Sequence, residues 1–529
     1  MKKYFKLLII LIIILIVVLI MLFVIKKYIV NQYTAGDAAQ TQENAEVIQE
    51  GKDYEESAET VSSEEVDLSA DKIEDYKYDF ELVLNTDDMT IDGVLNFTYF
   101  NNNEIPMDEL VFYLYANSFE KQEYHAVEED NFNNGYPNGF SPGSIEIKDI
   151  DIQGGGSYEV MGSQNHLLVI ALDNTVEPDG STHLTIEYKT TIPNSYGRFG
   201  YGEQTISIVN CNPIMAVYDE QTGYYTYEYN NIGDPFFSEC ADYTAQITLP
   251  EGYLIVPTGT ITGETHQDGQ VTYQVDGENR RDFGFVASDD FEVLSQETNG
   301  VTVYSYSFTG GEINEKAVQS AVDSISVYSD VYGAYPYETF NVVEANFYIG
   351  GMEYPGMVMI DDGYYLSSRQ GIMEMIIIHE AAHQWWYAMV GNDQIAEPWL
   401  DEALATFSEK VYYERVYPGD YKDLIFDYID NFFIKRNRNL ENKDSRIDLN
   451  TMEYDNEYSV VVYGFGCWML DDLREELGEE VFFAALRKYL SDNKYQIATR
   501  EDLENAIEAI TGEDITYWFD ENLQVQVGY

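Results

Sequence analysis

The stretch "IIIHEAAHQWW", Ile376 to Trp386, decides how this chain is read. It holds two of only six histidines, His379 and His383, four residues apart. Residues at that spacing share one face of a helix, so both imidazoles can meet one ion. Glu380 lies beside the first histidine, within reach of a water on such an ion. Zinc takes nitrogen ligands of this kind, needs a third protein ligand and, in a catalytic site, keeps one position open. The next segment, "EPWLDEALATFSE", supplies that third ligand as Glu402, with eighteen residues between it and His383. That interval leaves room for one helix to end and another to start. Glu409 lies two turns further along the same face, either accepting from a histidine ring or facing solvent. The competing reading is a chance HExxH whose histidines are satisfied core residues. The helical context, and Glu402 in an Asp-Glu pair at a helix start, favour the metal.

Outward from this stretch the pattern is helical. One helix is expected from about Gly371 to Met389, and a second from Pro398, a good first-turn residue, to about Val416. Val318, Ala321, Val322, Ile325, Tyr328 and Val331 keep a helical period that Gly333 stops. "FNVVEANF" reads as a strand, and Thr499 with Asp502 makes a capping-box pattern. Toward the N-terminus the period changes to two: Tyr76, Tyr78, Phe80, Leu82 and Leu84; Leu95, Phe97 and Tyr99; Leu184, Ile186 and Tyr188; Tyr243, Ala245, Ile247 and Leu249. Such alternation predicts half-buried antiparallel strands.

The chain begins with an uninterrupted apolar run, Leu7 to Ile25, flanked by Lys2, Lys3, Lys6, Lys26 and Lys27. At about 1.5 Å per residue it matches a bilayer core, and no small-residue cleavage site follows it. It reads as a retained transmembrane signal-anchor that leaves the rest of the chain extracellular at the cell membrane. Asn31 to Asp71 is acidic and poor in large apolar residues, hence a disordered stalk. The expected organisation is therefore an anchor over 1–30, a stalk over 31–71, an all-β antiparallel domain over 72–297 and an α+β domain over 298–529.

Composition narrows the class. Hydrophobic residues make up 45% of the 529 and aromatics 15%, enough for large cores. The net charge of −65 lacks the basic footprint that nucleic acid requires. Three cysteines are too few for a disulfide framework. Whether Cys211 and Cys240 pair is open at this level, as is the oligomeric state.

The zinc pattern resembles that of the gluzincins. "WLDEALATFSE" is similar to the corresponding segment of zinc aminopeptidases of the aminopeptidase N and leukotriene hydrolase type. So is "GGMEYPG", Gly350 to Gly356, in the place of a Gly-x-Met-Glu-Asn loop whose glutamate holds the substrate's free amino group. That residue is Glu353 here, and Tyr354 replaces the asparagine. "VVVYGFGCWMLDDL" occupies the place of a segment carrying a catalytic tyrosine. This nominates Tyr463, with Phe465 for the usual lysine and Tyr458 as a nearby competitor. "YKYDFELVLNTDDMTIDG" and "ADYTAQITLPEGYLIVPTG" look like pieces of the family's N-terminal β domain. The resemblance runs from about Tyr76 to the C-terminus, with no chain left for the helical C-terminal domain of longer members.

It implies a thermolysin-like catalytic domain, one zinc ion on His379, His383 and Glu402, and peptide substrates. Glu380 would be the base, Tyr463 the oxyanion donor and Glu353 the amine anchor. The expectation is a membrane-anchored zinc aminopeptidase. Its rivals are a zinc endopeptidase and a non-catalytic surface module with structural zinc. Structural zinc sites are closed by four protein ligands, and three are visible.

Overall fold

The alternating segments form strands, and their alternation sets which face is buried. In Tyr76–Asn85 the side chains of Tyr78, Phe80, Leu82 and Leu84 are buried and those between them are not. The computed structural model describes residues 76–417, 445–454 and 457–525. The expected anchor and stalk lie outside the described residues. Among the described residues no helix is long and apolar enough to cross a membrane.

The β part is built on a seven-stranded sheet. Its order is Thr260–Gln267, Gln270–Arg280, Ala241–Pro250, Tyr76–Asn85, Thr90–Phe100, Ser181–Thr191, Ser144–Ile152. Phe80, Leu95, Phe97, Ile186, Tyr243 and Ile247 from its strands meet in one core. The expectation of a wholly antiparallel domain is corrected at one place: Tyr76–Asn85 runs parallel to Ala241–Pro250, with Lys77 opposite Asp242 and Val83 opposite Thr248. Alternation reports a buried face and carries no information on strand direction. These two strands are far apart in sequence, and a long connection is what parallel pairing requires.

A second sheet carries the catalytic part, in the order Glu292–Thr298, Val301–Ser307, Thr339–Ala345, Met357–Asp361, Gly351–Met352. The middle three strands are parallel, and helix Gly311–Tyr332 connects the first two of them. That helix buries Val318, Ala321, Ile325 and Tyr328 against the helices of the site. Side chains the size of Val318 and Ile325 each contribute roughly 1.5–3 kcal/mol of transfer free energy. Gly351–Met352 is a short antiparallel edge strand that delivers Glu353 to the sheet's rim.

The helix bearing the histidines spans Gln370–Ala382 and stops before the expected Met389. Two indoles explain the early end. Trp385 Nε1 donates to the Gly333 carbonyl at 2.9 Å and Trp386 Nε1 to Ser408 Oγ at 3.1 Å. Both rings are fully buried, and the backbone leaves the helix to seat them, reaching φ 147° at Tyr387. The next helix, Trp399–Val416, starts directly after Pro398 as expected. Val460–Phe465 forms a π-helical turn that continues into helix Gly466–Leu477, a local widening of the helix often found at functional sites. The Thr499–Asp502 capping box forms as read. Cys211 and Cys240 are buried free thiols and are not joined.

Candidate active site

His379 lies in the last turn of helix Gln370–Ala382 and His383 caps it. Glu402 lies in the first turn of the following helix. Three atoms converge: His379 Nε2 and His383 Nε2 are 3.1 Å apart, and Glu402 Oε2 is 3.2 Å from the first and 3.3 Å from the second. Three tetrahedral donors at about 2.1 Å from zinc lie about 3.4 Å from one another, so the triangle fits that ion.

The outer nitrogens reinforce the fit. His379 Nδ1 meets Glu409 Oε1 at 2.8 Å, and His383 Nδ1 meets the Trp386 carbonyl at 2.9 Å. Both partners are acceptors, so each Nδ1 carries a proton, and it is the neutral form of each ring that presents its Nε2 lone pair. Two lone pairs and a carboxylate facing one point call for a cation between them. Glu409 is thus a buried partner of His379, not a solvent-facing residue.

Glu380 and Glu353 join the same group: one oxygen of each and one His383 nitrogen lie within 4.8 Å of one another. Gly351 lies against Glu380, and a Cβ on it would run into the Glu380 carboxylate. The edge strand therefore needs glycine to pass this close. Gln384 holds the next segment, donating to the carbonyls of Glu353 and Tyr354 at 3.2 Å each and accepting from Gly356 N at 2.8 Å. The Tyr354 side chain is buried among Val209, Val256, Phe347 and Met357. The residue that departs from the resemblance therefore supports the cleft floor and does not line its wall.

Tyr463 donates to Glu402 Oε1, and its ring stacks on His379 at 5.8 Å. Tyr458 lines the same cleft, 6.0 Å from Tyr463 between ring centres. The cavity measures about 730 Å³ and is bounded on the β side by Arg198, Tyr229 and Asp234. Arg198 and Asp234 form a buried ion pair there. Sequence reading missed this pair, since nothing at either position marks it. It also passed over Gln384 and Gln394, although Gln384 follows His383 directly, and it read Asp401 only as part of the Asp-Glu pair, with no role of its own.

Charge crowding sets the proton affinities. Burial pushes the Glu380 carboxyl up to about 7, against the pull of His379 and His383. Burial and then Asp234 raise Glu353 well above the carboxylate range. Burial alone would lower His383, but Glu353 and the hydrogen bond to Glu402 outweigh it and hold the ring up to about 10. His379 is likewise raised: its hydrogen bonds to Glu402 and Glu409 overcome its burial. Burial would raise Glu402, yet its bonds to the two histidines hold it below its ordinary value.

A parallel-centred sheet under two helices, carrying a His-His-Glu trio with a glutamate beside the first histidine, defines a gluzincin-type metallopeptidase fold. Residues 316–521 match the peptidase family M1 domain, and in this part the chain is similar to the zinc peptidases of that family. It is 26% identical over 304 residues to aminopeptidase N of Lactococcus lactis subsp. lactis, covering 54% of this chain and 34% of that protein. It is also 26% identical over 244 residues to aminopeptidase 2 of Candida albicans, covering 43% and 26%. The chain thus spans about a third or less of the length of these curated relatives.

A solved M1 zinc metallopeptidase from Deinococcus radiodurans shares the fold, at a TM-score of 0.59 and 17% identity over 86% of this chain and 95% of that one. A mutant of that enzyme, solved bound to a Tyr-Ser-Ala substrate, gives a TM-score of 0.59 and 16% identity, covering 86% and 94%. The architecture is the two-domain one, a β-rich N-terminal domain followed by an α+β catalytic domain. Zinc is the ion the family implies, and the donor triangle fits it.

Proposed function

We propose that this chain is a zinc aminopeptidase that removes the first residue of peptides bearing a free α-amine. The observation that carries the reading is the shared cleft: Glu353, Glu380 and the His379–His383–Glu402 trio line one cavity. Zinc held by the trio would supply a Lewis acid that polarises the scissile carbonyl and acidifies water. Glu380, buried beside the trio, takes a proton from the attacking water and hands it to the leaving amine. Tyr463 turns its hydroxyl from Glu402 toward the developing oxyanion, a contribution of about 3 kcal/mol in comparable sites. Glu353 binds the substrate ammonium and fixes the cut one residue in. A relative solved with a tripeptide whose first residue is tyrosine supports a substrate of this kind.

The endopeptidase reading rested on Tyr354, and the place of that side chain in the core beneath the cleft weakens it. A closed structural zinc site is disfavoured by a trio of converging ligand atoms, with no fourth ligand among the described residues. The test is a panel of aminoacyl chromogenic substrates, free and N-acetylated, with and without chelator. Free substrates should be cut, their acetylated twins refused, and chelation should abolish turnover until zinc is returned. Equal cleavage of both forms overturns the exopeptidase reading.

Leu7 to Ile25 supports a second part of the proposal, attachment to the cell membrane with the catalytic part outside. Removing Met1 to Asn31 should move the enzyme from the membrane to the soluble fraction with its activity intact. Recovery of the full-length chain as a soluble, shortened product overturns the anchor.

A further inference from the structure

The loop between the two metal-bearing helices holds a buried amide, Gln394, only 3% exposed. Its Nε2 donates to Asp401 Oδ2 at 2.7 Å and to Glu353 Oε1 at 3.3 Å. Asp401 is occupied on its other oxygen, which accepts from Glu402 N at 2.9 Å and from Asn392 Nδ2 at 3.3 Å. One NH2 group therefore ties the carboxylate at the amine subsite to the residue preceding a metal ligand.

The chemistry of the bridge is specific. Two buried carboxylates sharing one neighbour need donors between them. A lysine or arginine in this place would neutralise Glu353 and occupy the position of the substrate's ammonium. An amide supplies two protons and no charge, so it restrains one oxygen of Glu353 and leaves the other for the substrate. The backbone of Glu353 is held separately, by Gln384. The two glutamines thus divide the work between main chain and side chain.

We propose that Gln394 is a positioning residue for the amine subsite, holding Glu353 in the orientation that selects free N-termini. The proposal rests on the aminopeptidase reading and deepens it. Gln394 acts through Glu353 and touches neither the metal nor the scissile bond, so its loss falls on KM and not on kcat.

The test uses Gln394→Met, which keeps the volume and removes the donor, made in the wild-type and Glu353→Ala backgrounds. In the wild-type background KM for a free-amine substrate should rise about 10-fold or more, with kcat within about threefold and zinc content unchanged. The preference for free over acetylated substrate should shrink. In the Glu353→Ala background the same change should add nothing to KM or to the preference for free amines, because the carboxylate it positions is gone and the bond that remains, to Asp401, lies outside the amine subsite. An equal cost in both backgrounds, or unchanged discrimination in Gln394→Met, overturns the proposal while leaving the aminopeptidase reading intact. Should Gln394→Met lose zinc, Gln394→Asn keeps the donor on a shorter stem and carries the same comparison. Loss of zinc in both variants assigns the residue to the support of Glu402 and overturns its role at Glu353. If the wild type itself cuts acetylated peptides as fast as free ones, the aminopeptidase reading falls, and this proposal falls with it.

Discussion

Glu380 is buried near two imidazoles and the acidic side chains of Glu402 and Asp234, and this crowding gives it its chemical character. Its carboxylate is no part of the metal triangle, so replacing it removes a base and leaves the ligands. Glu380→Gln should keep its zinc, measured by metal analysis, and lose at least about 100-fold in kcat; wild-type turnover would show that Glu380 is not the base. Glu353 is the complementary case. It is buried and forms no salt bridge with a lysine or arginine among the described residues, and in the proposed function a substrate ammonium would supply that charge. Truncating one partner of such a pair costs about 2–5 kcal/mol. Glu353→Ala should therefore lower kcat/KM on free-amine substrates by about 30- to several-thousand-fold, and narrow the gap to acetylated ones. Unchanged rates on free amines would contradict the anchor. Glu409 acts one bond further out, through His379 Nδ1. Glu409→Ala should weaken zinc affinity about 10- to 100-fold, read by competition with a chelator.

The edge strand Gly351–Met352 shows how an element serves these residues. It brings backbone against Glu380, and only a glycine at 351 leaves that carboxylate room. Gly351→Ala should push Glu380 aside and reduce kcat by about 10- to 100-fold, the upper end being the loss a 1 Å displacement can cause, with zinc content unaffected; full activity would mean the strand yields freely. This contact was invisible in the sequence, because it joins residues from different elements. The helix pair was legible, since the spacing of His379, Glu380 and His383 and the Asp-Glu pair at 401–402 are local patterns of one periodic element. The strands were legible for the same reason, their period of two being written in Tyr78, Phe80, Leu82 and Leu84. What local patterns do not contain is partner choice. The parallel pairing of Tyr76–Asn85 with Ala241–Pro250 is a matter of topology. The end of the histidine helix at Ala382 was decided by where Trp385 and Trp386 find buried acceptors. Gln394 and the Arg198–Asp234 pair acquire meaning only through residues far away in sequence.

For the molecule as a whole, metal and protons compete for one place, and that competition links activity, stability and pH. In the metal-free protein His383 is held up to about 10, above the 6.5 of an unperturbed ring, and His379 is raised as well. A group whose folded value lies above its unfolded one stabilises the fold fully below the unfolded value, and that stabilisation is lost as pH rises through the folded one. The metal-free protein should therefore lose this contribution progressively between about pH 6.5 and 10. Zinc requires the neutral rings, so its binding expels the protons that the acidic neighbours had retained. Each expelled proton makes zinc affinity about tenfold stronger per pH unit over that window, and bound metal stabilises in proportion to the logarithm of its concentration over Kd. The melting temperatures of zinc-loaded and chelator-treated enzyme should thus diverge as pH is raised from 6 to 9. Zinc added to the metal-free protein at pH 7.5 should release about one proton or more per site, measured by calorimetry in buffers of differing ionisation enthalpy. A gap between the two melting curves that stays constant across this range, or zinc binding without proton release, would show that the trio holds its metal without protonated histidines to displace.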